Sequence, residues 1–264
     1  MLKLLKFVNE RGGHGIVPAL KQPPVTFKSV KSVFEEILKH EMKVTEEINN
    51  LVFKIEGLNH LLPSTPIAFV DKLKQNGNLI SAQLDNVLSA AIILYLYQHG
   101  FAGTAFFTAQ EEAGKSWRFV HEWFKKNKIS TDKLVVLDTS PYETREEADK
   151  QLVVLRNKDV NAKFKSPLLK ELKQFCKKNK ISFSCKDKFI IEKNKLREKE
   201  GLKPISIGST ELGRIVMESN GQIQGATLQI PTTGYHTVDE TASVESIKAI
   251  IFILSSFYIK TVNI

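Results

Sequence analysis

Cysteine is nearly absent from this chain: Cys176 and Cys185 are its only two, and they do not form a Cys-x-x-Cys pair. That excludes a thiolate zinc cage and a disulfide framework, and suits idle thiols in a reducing compartment. Long apolar runs are missing as well. The last one, AIIFILSSFY (Ala249 to Tyr258), is well short of the roughly 20 residues that span a bilayer, so it reads as a buried closing helix. The opening MLKLLKFVNERGG has too short an apolar core for a signal peptide and lacks a small-residue cleavage site. No membrane partner is expected, and the expected location is cytoplasmic. Low-complexity tracts and internal repeats are also lacking. Positive charge is in excess, at +9, but the lysines are scattered among acids. That is the pattern of solvated faces rather than of a nucleic-acid footprint, so no nucleic-acid partner is expected.

What is present is an ordinary globular composition over 264 residues, enough for one α/β domain with an additional segment. Two regions differ in pattern. Residues 1–80 read as an N-terminal segment. In it, SVKSVFEEILKHEMKVTEEINNLVFKI (Ser29 to Ile55) places Val30, Val33, Phe34, Ile37, Leu38, Val44, Ile48, Leu51 and Val52 close to helical spacing, which predicts one long amphipathic helix or two shorter ones. A QNGN turn between short strands follows. From residue 81 to 264 the pattern is regular. NVLSAAIILYLYQHG reads as a helix, TAFFTA as a strand, SWRFVHEWFKKN as a helix and KLVVLD as a strand. A helix around SPLLKELKQFCKKN, a strand at ISFSC, a helix after GSTELG, the strand ATLQIP and the final helix come next. Alternation of this kind predicts an α/β fold with a mostly parallel or mixed sheet covered by helices on both faces.

Acids and one histidine sit at the ends of these elements. Glu111 and Glu112 follow TAFFTAQ, Asp138 follows KLVVL, His236 follows ATLQIPTTGY, and Asp85 precedes the alanine-containing helix. Ligands of open α/β sheets bind beyond the carboxyl ends of the strands. Carboxylates with a neutral imidazole are the donors a divalent transition ion takes in a hydrolytic site. Each residue also has a plainer role. Asp85 suits a helix N-cap, Glu111 and Glu112 a solvated pair, Asp138 an Asx turn, and His236 a loop histidine bonded to Asp239 or Glu240. The ordered set is harder to explain that way than any single member.

At LDN, AQEEAG, VVLDTSP, GSTELG and IPTTGYHTVDE the sequence resembles the co-catalytic di-zinc aminopeptidase superfamily, nearest the tetrahedral deblocking and glutamyl aminopeptidases, with the aminopeptidase Y type a close second. The resemblance covers about Leu62 to the C-terminus. It implies a metallopeptidase-like catalytic domain over 81–264, a hydrolase that removes N-terminal residues from peptide substrates. The implied cofactor is one or two divalent metal ions, zinc or else cobalt or manganese, and the implied assembly is a homo-oligomer. Carried over to matching positions, Asp85 would bridge two metals, Glu112 and His236 would bind one of them and Asp138 the other, with Glu111 the general base.

The sequence departs from that pattern in three places. The family's remaining histidine ligand lies in an upstream His-x-Asp motif, and none of His14, His40, His60, His99 and His121 has an Asp two residues on. His14 and His60 are the candidate substitutes. Thr233 and Gly234 stand where the tetrahedral family has Arg-Tyr. The helix from Ser29 fits poorly with the β-rich dimerisation region that family inserts before LDN, so residues 1–80 read at most as its remnant. The catalytic domain therefore reads as truncated at its start, and a catalytically impaired binding or assembly subunit is the alternative expectation.

Overall fold

The structure, a computed structural model, describes residues 42–47, 50–55, 73–237 and 239–259. These residues fall into two compact units. The first holds a hairpin of β1 (Met42–Glu47) and β2 (Asn50–Ile55), antiparallel with Val44 opposite Phe53 and Glu47 opposite Asn50. The helix expected over Ser29 to Ile55 is thus replaced by strands in this stretch, and residues 29–41 lie outside the described residues. Val44, Thr45, Val52 and Ile55 are β-branched residues, the types enriched in strands. Local preference therefore permits strands where the spacing alone suggests a helix.

The second unit is built on a mixed sheet. β3 (Lys74–Asn76) and β4 (Leu79–Ser81) are antiparallel, joined at Gly77–Asn78, where Gly77 takes a φ of 55°. A two-residue hairpin link favours that left-handed geometry, and glycine supplies it without a Cβ clash. β4 pairs with β9 (Thr241–Ser243), and β9 with β8 (Ile223–Thr233). β8 runs parallel to β5 (Thr131–Pro141), with Asp138 opposite Gln229. β6 (Val153–Leu155) meets β8 antiparallel at Val154 and Gln229, and runs parallel to β7 (Phe183–Cys185).

Seven helices among the described residues surround the sheet: α1 (Val87–Gln98), α2 (Ser116–Asn127), α3 (Arg145–Asp149), α4 (Pro167–Lys178), α5 (Lys186–Lys199), α6 (Glu211–Glu218) and α7 (Val244–Tyr258). Strand alternation decides which helix each side chain meets. Val153, Leu155, Ala226, Leu228 and Ile230 join the main core with α1, α4 and α7. Val154 turns to Tyr142, Ala148 of α3 and Phe189 of α5, and Ile223 meets Val120 and Phe124 of α2 and Ile215 of α6. α7 shows the helical counterpart: Ser243 caps it by accepting from the Ser246 N–H at 3.2 Å. Its buried Ile247, Ile250, Ile253 and Leu254 fall on one face, each worth about 1.5–3 kcal/mol on burial. Among the described residues no helix is long and apolar enough to cross a membrane.

Two local expectations are corrected. Residues 104–109, expected as a strand, form no ladder. Phe106 packs on a helix instead, its ring 5.1 Å from that of Trp123 and 5.9 Å from that of Phe124, while Phe107 is exposed. α5 was not expected at all. Its sequence KDKFIIEKNKLREK is so dense in charge that only Lys186, Asp187 and Ile190 are buried, leaving no apolar stripe to read.

Candidate metal and catalytic site

The site is assembled where β4, β5 and β8 end. Asp85 stands between β4 and α1, 8% exposed, and its peptide bond to Asn86 is cis. It is not the N-cap of α1. Asn86 holds that position without a side-chain capping bond. The carboxylate of Glu240 instead accepts from the backbone N–H groups of Leu84 and Asp85, at 3.1 and 3.0 Å.

Glu111 and Glu112 lie on a tight turn before α2, closed by Gly114 N–H donating to Glu111 O at 2.6 Å. Arg214 of α6 donates from Nη1 to Gly114 O at 2.6 Å and from Nε to Ser209 Oγ at 3.0 Å. Trp117 Nε1 donates to the same carbonyl at 3.0 Å. Gly114 has a φ of 64°, and a Cβ there would fall 2.2 Å from Arg214 Nη1, so the turn requires glycine. His236 stands on the turn after β8, itself at a φ of 59°, with Tyr235 stacked on its ring at 3.7 Å.

These turns bring three side chains together. His236 Nε2 lies 3.0 Å from Glu112 Oε1 and 3.8 Å from Asp85 Oδ2. One donor atom from each of Asp85, Glu112 and His236 can be chosen so that all lie within 4.8 Å of one another, the one such group of three among the described residues. Asp239, offered as a plain partner for His236, bonds instead to Lys74 at 2.7 Å.

Asp138 is beside this group but not part of it. Its Oδ1 accepts from Asn86 Nδ2 at 3.3 Å and from Thr139 N–H at 2.8 Å, and its Oδ2 accepts from Gln229 Nε2 at 3.1 Å. Gln229 is oriented in turn by Arg156, whose Nε donates to Gln229 Oε1 at 2.9 Å. His14 and His60, the candidate substitutes for the missing histidine, lie outside the described residues, as does His40. Of those described, His99 is bonded to Tyr95 O at 2.7 Å and His121 faces Trp117.

The electrostatics follow from crowding acids in a partly dry cleft. Burial, then the charges of Glu240, Glu112 and Glu111, pushes the Asp85 carboxyl up to about 7. Burial and then Asp138, Glu211 and Glu112 push Glu111 to about 7, against a smaller pull from Arg214. Asp138 also rises to about 7, from burial first and Asp85 second. Burial, then the charges of Asp85, Glu112, Asp138 and Glu111, raises the Tyr235 hydroxyl. A divalent cation would relieve this excess of negative charge, and the carboxylate and imidazole donors are the types it takes. The residues therefore fit a metal ion. Two cavities of about 350 Å³ share Glu112, one lined also by Glu111, Trp117, Glu211, Arg214 and Tyr235 and the other by Asp85, His236, Thr237 and Glu240.

A family model described as M42 glutamyl aminopeptidase matches residues 60–193, just over half of the chain. The chain belongs to the M42 glutamyl aminopeptidase family. The M42 match includes Asp85, Glu111, Glu112 and Asp138 and stops before His236. Solved structures agree at the level of the fold. A Pyrococcus horikoshii TET1 peptidase, described as able to assemble into a tetrahedron or a large octahedral shell, has a TM-score of 0.58 at 17% identity, over 91% of this chain and 66% of its own. The Desulfurococcus kamchatkensis aminopeptidase APDkam598 has a TM-score of 0.54 at 15% identity, over 72% of this chain and 52% of its own. The dodecameric PhTET1-12s has a TM-score of 0.52 at 15% identity, over 71% and 53%. Against these three, the chain spans between about half and two thirds of a neighbour's length.

The N-terminal part is similar to something else. A ferritin-like domain model matches residues 1–89, overlapping the M42 match. A probable bacterial non-heme ferritin-like protein of Haemophilus influenzae is 39% identical over 54 residues, which is 20% of this chain and 33% of that protein. A bacterial non-heme ferritin of Campylobacter jejuni is 42% identical over 50 residues, 19% and 30%. The chain thus spans about a third of the length of these curated relatives. Ferritin-like folds are helix bundles, in keeping with the helical spacing of residues 29–55 and at odds with the hairpin at 42–55.

Sequence reasoning missed the residues that hold the site in place: Asn86, Gln229, Arg156, Arg214 and the clamping role of Glu240. One signal was available. A glutamine in the middle of ATLQIP, a strand otherwise apolar and buried, needs a polar partner.

Proposed function

We propose that this chain is a metal-dependent aminopeptidase that removes N-terminal residues from peptides. In this reading Asp85, Glu112 and His236 hold a divalent ion, zinc or else cobalt or manganese, with Asp138 next to it. The observation that carries the proposal is the approach of those three donor groups beside a neighbouring acid, Glu111, left outside the group. When bound, such an ion polarises a carbonyl and acidifies a water. Glu111, with its carboxyl raised to about 7, is matched near neutral pH to accept a proton at its carboxylate and return it to a leaving amine. Arg214 holds the turn that presents Glu111 and Glu112, and the cavity lined by Glu111, Trp117, Arg214 and Tyr235 gives a peptide room next to the ion. Because the structural neighbours are described as a dodecamer, a tetrahedron or an octahedral shell, a homo-oligomer is part of the proposal.

One observation favours a second reading, a catalytically impaired relative that binds without turning over. Asp138 is occupied by three hydrogen bonds, and no described histidine joins it. Assays of the full chain with zinc, cobalt or manganese on a panel of aminoacyl substrates separate the two. The aminopeptidase reading predicts release of N-terminal residues, reduced about 10²- to 10⁴-fold by Glu111→Gln with metal binding unchanged. Metal binding without release from any substrate would leave the second reading.

A further inference from the structure

We propose that Glu240 is the positioning residue of this site: its carboxylate fixes the Asp85 turn in the geometry that lets Asp85 and His236 share an ion. The inference rests on the metal-site reading above and assigns a role that reading does not contain.

Glu240 is 1% exposed, begins the approach to β9, and lies four residues beyond His236. A carboxylate so buried needs donors, and here the donors are backbone. Its Oε2 accepts from both Leu84 N–H and Asp85 N–H, while its own carbonyl accepts from Ala82 N–H at 3.0 Å. Three hydrogen bonds thus bind the segment 82–85 to the segment that returns from the His236 turn. Its other oxygen, Oε1, is buried with no hydrogen-bond partner among the described residues, and burial raises the carboxyl above its ordinary value. One residue therefore ties the turn that carries Asp85 to the segment that follows His236.

Removing it would orphan two buried N–H groups immediately before the Asp85 side chain. The turn could satisfy them only by moving, and the carboxylate would move with it. Outer partners of metal ligands typically govern affinity by about 10- to 100-fold.

The test uses the full-length chain and cobalt(II), with affinity and the visible absorption spectrum as readouts. Glu240→Ala should weaken cobalt binding about 10- to 100-fold and change the spectrum. Glu240→Gln, whose amide oxygen can still accept from both N–H groups, should restore both. Asp239→Ala, which removes only the surface pair with Lys74, should leave them unchanged. If Glu240→Ala does not fold, Glu240→Asp decides: its carboxylate is set back by one methylene, so weakened binding and an altered spectrum support the role, and wild-type values overturn it. Wild-type affinity and spectrum in a folded Glu240→Ala, or a Glu240→Gln that binds no better than Glu240→Ala, would also overturn it. Failure of the unaltered chain to bind cobalt, or binding indifferent to Glu112→Ala, would remove the metal-site reading itself and this inference with it.

Discussion

The two halves of the cleft are built differently. Asp85, Glu112 and His236 form an open half: His236 and Glu112 are solvent-exposed, with side chains 52% and 55% accessible, and His236 Nε2 faces a carboxylate oxygen of each of the other two. Asp138 forms the closed half, with both oxygens engaged by Asn86, Thr139 and Gln229. An ion entering the open half meets lone pairs, while one entering beside Asp138 must compete with existing donors. The difference coincides with the sequence. Among the described residues no histidine joins Asp138, and the part of this chain upstream of Asp85 is similar to ferritin-like proteins.

Exchanging one carboxyl in each half should separate them most sharply. Glu112→Gln should weaken zinc or cobalt binding by about 100-fold or more, because a charged ligand is lost. Asp138→Asn should change that affinity by no more than about 3-fold, and equal losses would erase the distinction. Titration calorimetry reads both. The closed half should show its role in stability. Asp138→Asn turns an amide donor toward the groups that now donate, which costs about 1–3 kcal/mol and lowers the melting temperature, whereas Glu112→Gln should leave the metal-free melt nearly unchanged.

Gly114→Ala tests the frame of the open half. The added methyl meets Arg214 at a left-handed φ, so a loss of about 1–3 kcal/mol is expected, together with weaker metal binding as Glu112 shifts. A variant with wild-type melting and affinity would show that the turn can adjust freely.

The smallest effect is on pH. Asp85, Glu111 and Asp138 have folded values near 7, above their unfolded values of about 4. The folded chain therefore binds more protons between those limits, and the stability these groups contribute is lost as pH rises toward 7. Melts in the presence of chelator should fall from pH 5 to pH 8, Asp138→Asn should flatten the slope, and added metal should oppose it. A chelated protein that becomes steadily more stable over that range would contradict the crowded-acid picture.

Much of this arrangement was legible in the sequence because it follows from local rules. The α1, α2 and α4 helices, the Gly77–Asn78 turn and the β5 and β8 strands all have the expected periodicity or turn residues, and strand ends carry Asp138 and His236 to the same side. Other parts depend on tertiary partners that no local window reveals. Residues 104–109 have strand-like composition, yet Phe106 is drawn onto α2. At 42–55, helical spacing and β-branched stiffness conflict, and local pattern alone does not choose between them. Glu240 reads as one more acid of a polar loop until its burial against Leu84 and Asp85 is known. Asn86 and Gln229 gain meaning only when β5 and β8 lie side by side.

The most direct measurement is the number of tightly bound zinc or cobalt ions per full-length chain, by elemental analysis after dialysis against metal-free buffer. The asymmetry of the two halves predicts nearer one ion than two, lost on Glu112→Gln. Two equally tight ions, or none retained by the unaltered chain, would contradict it.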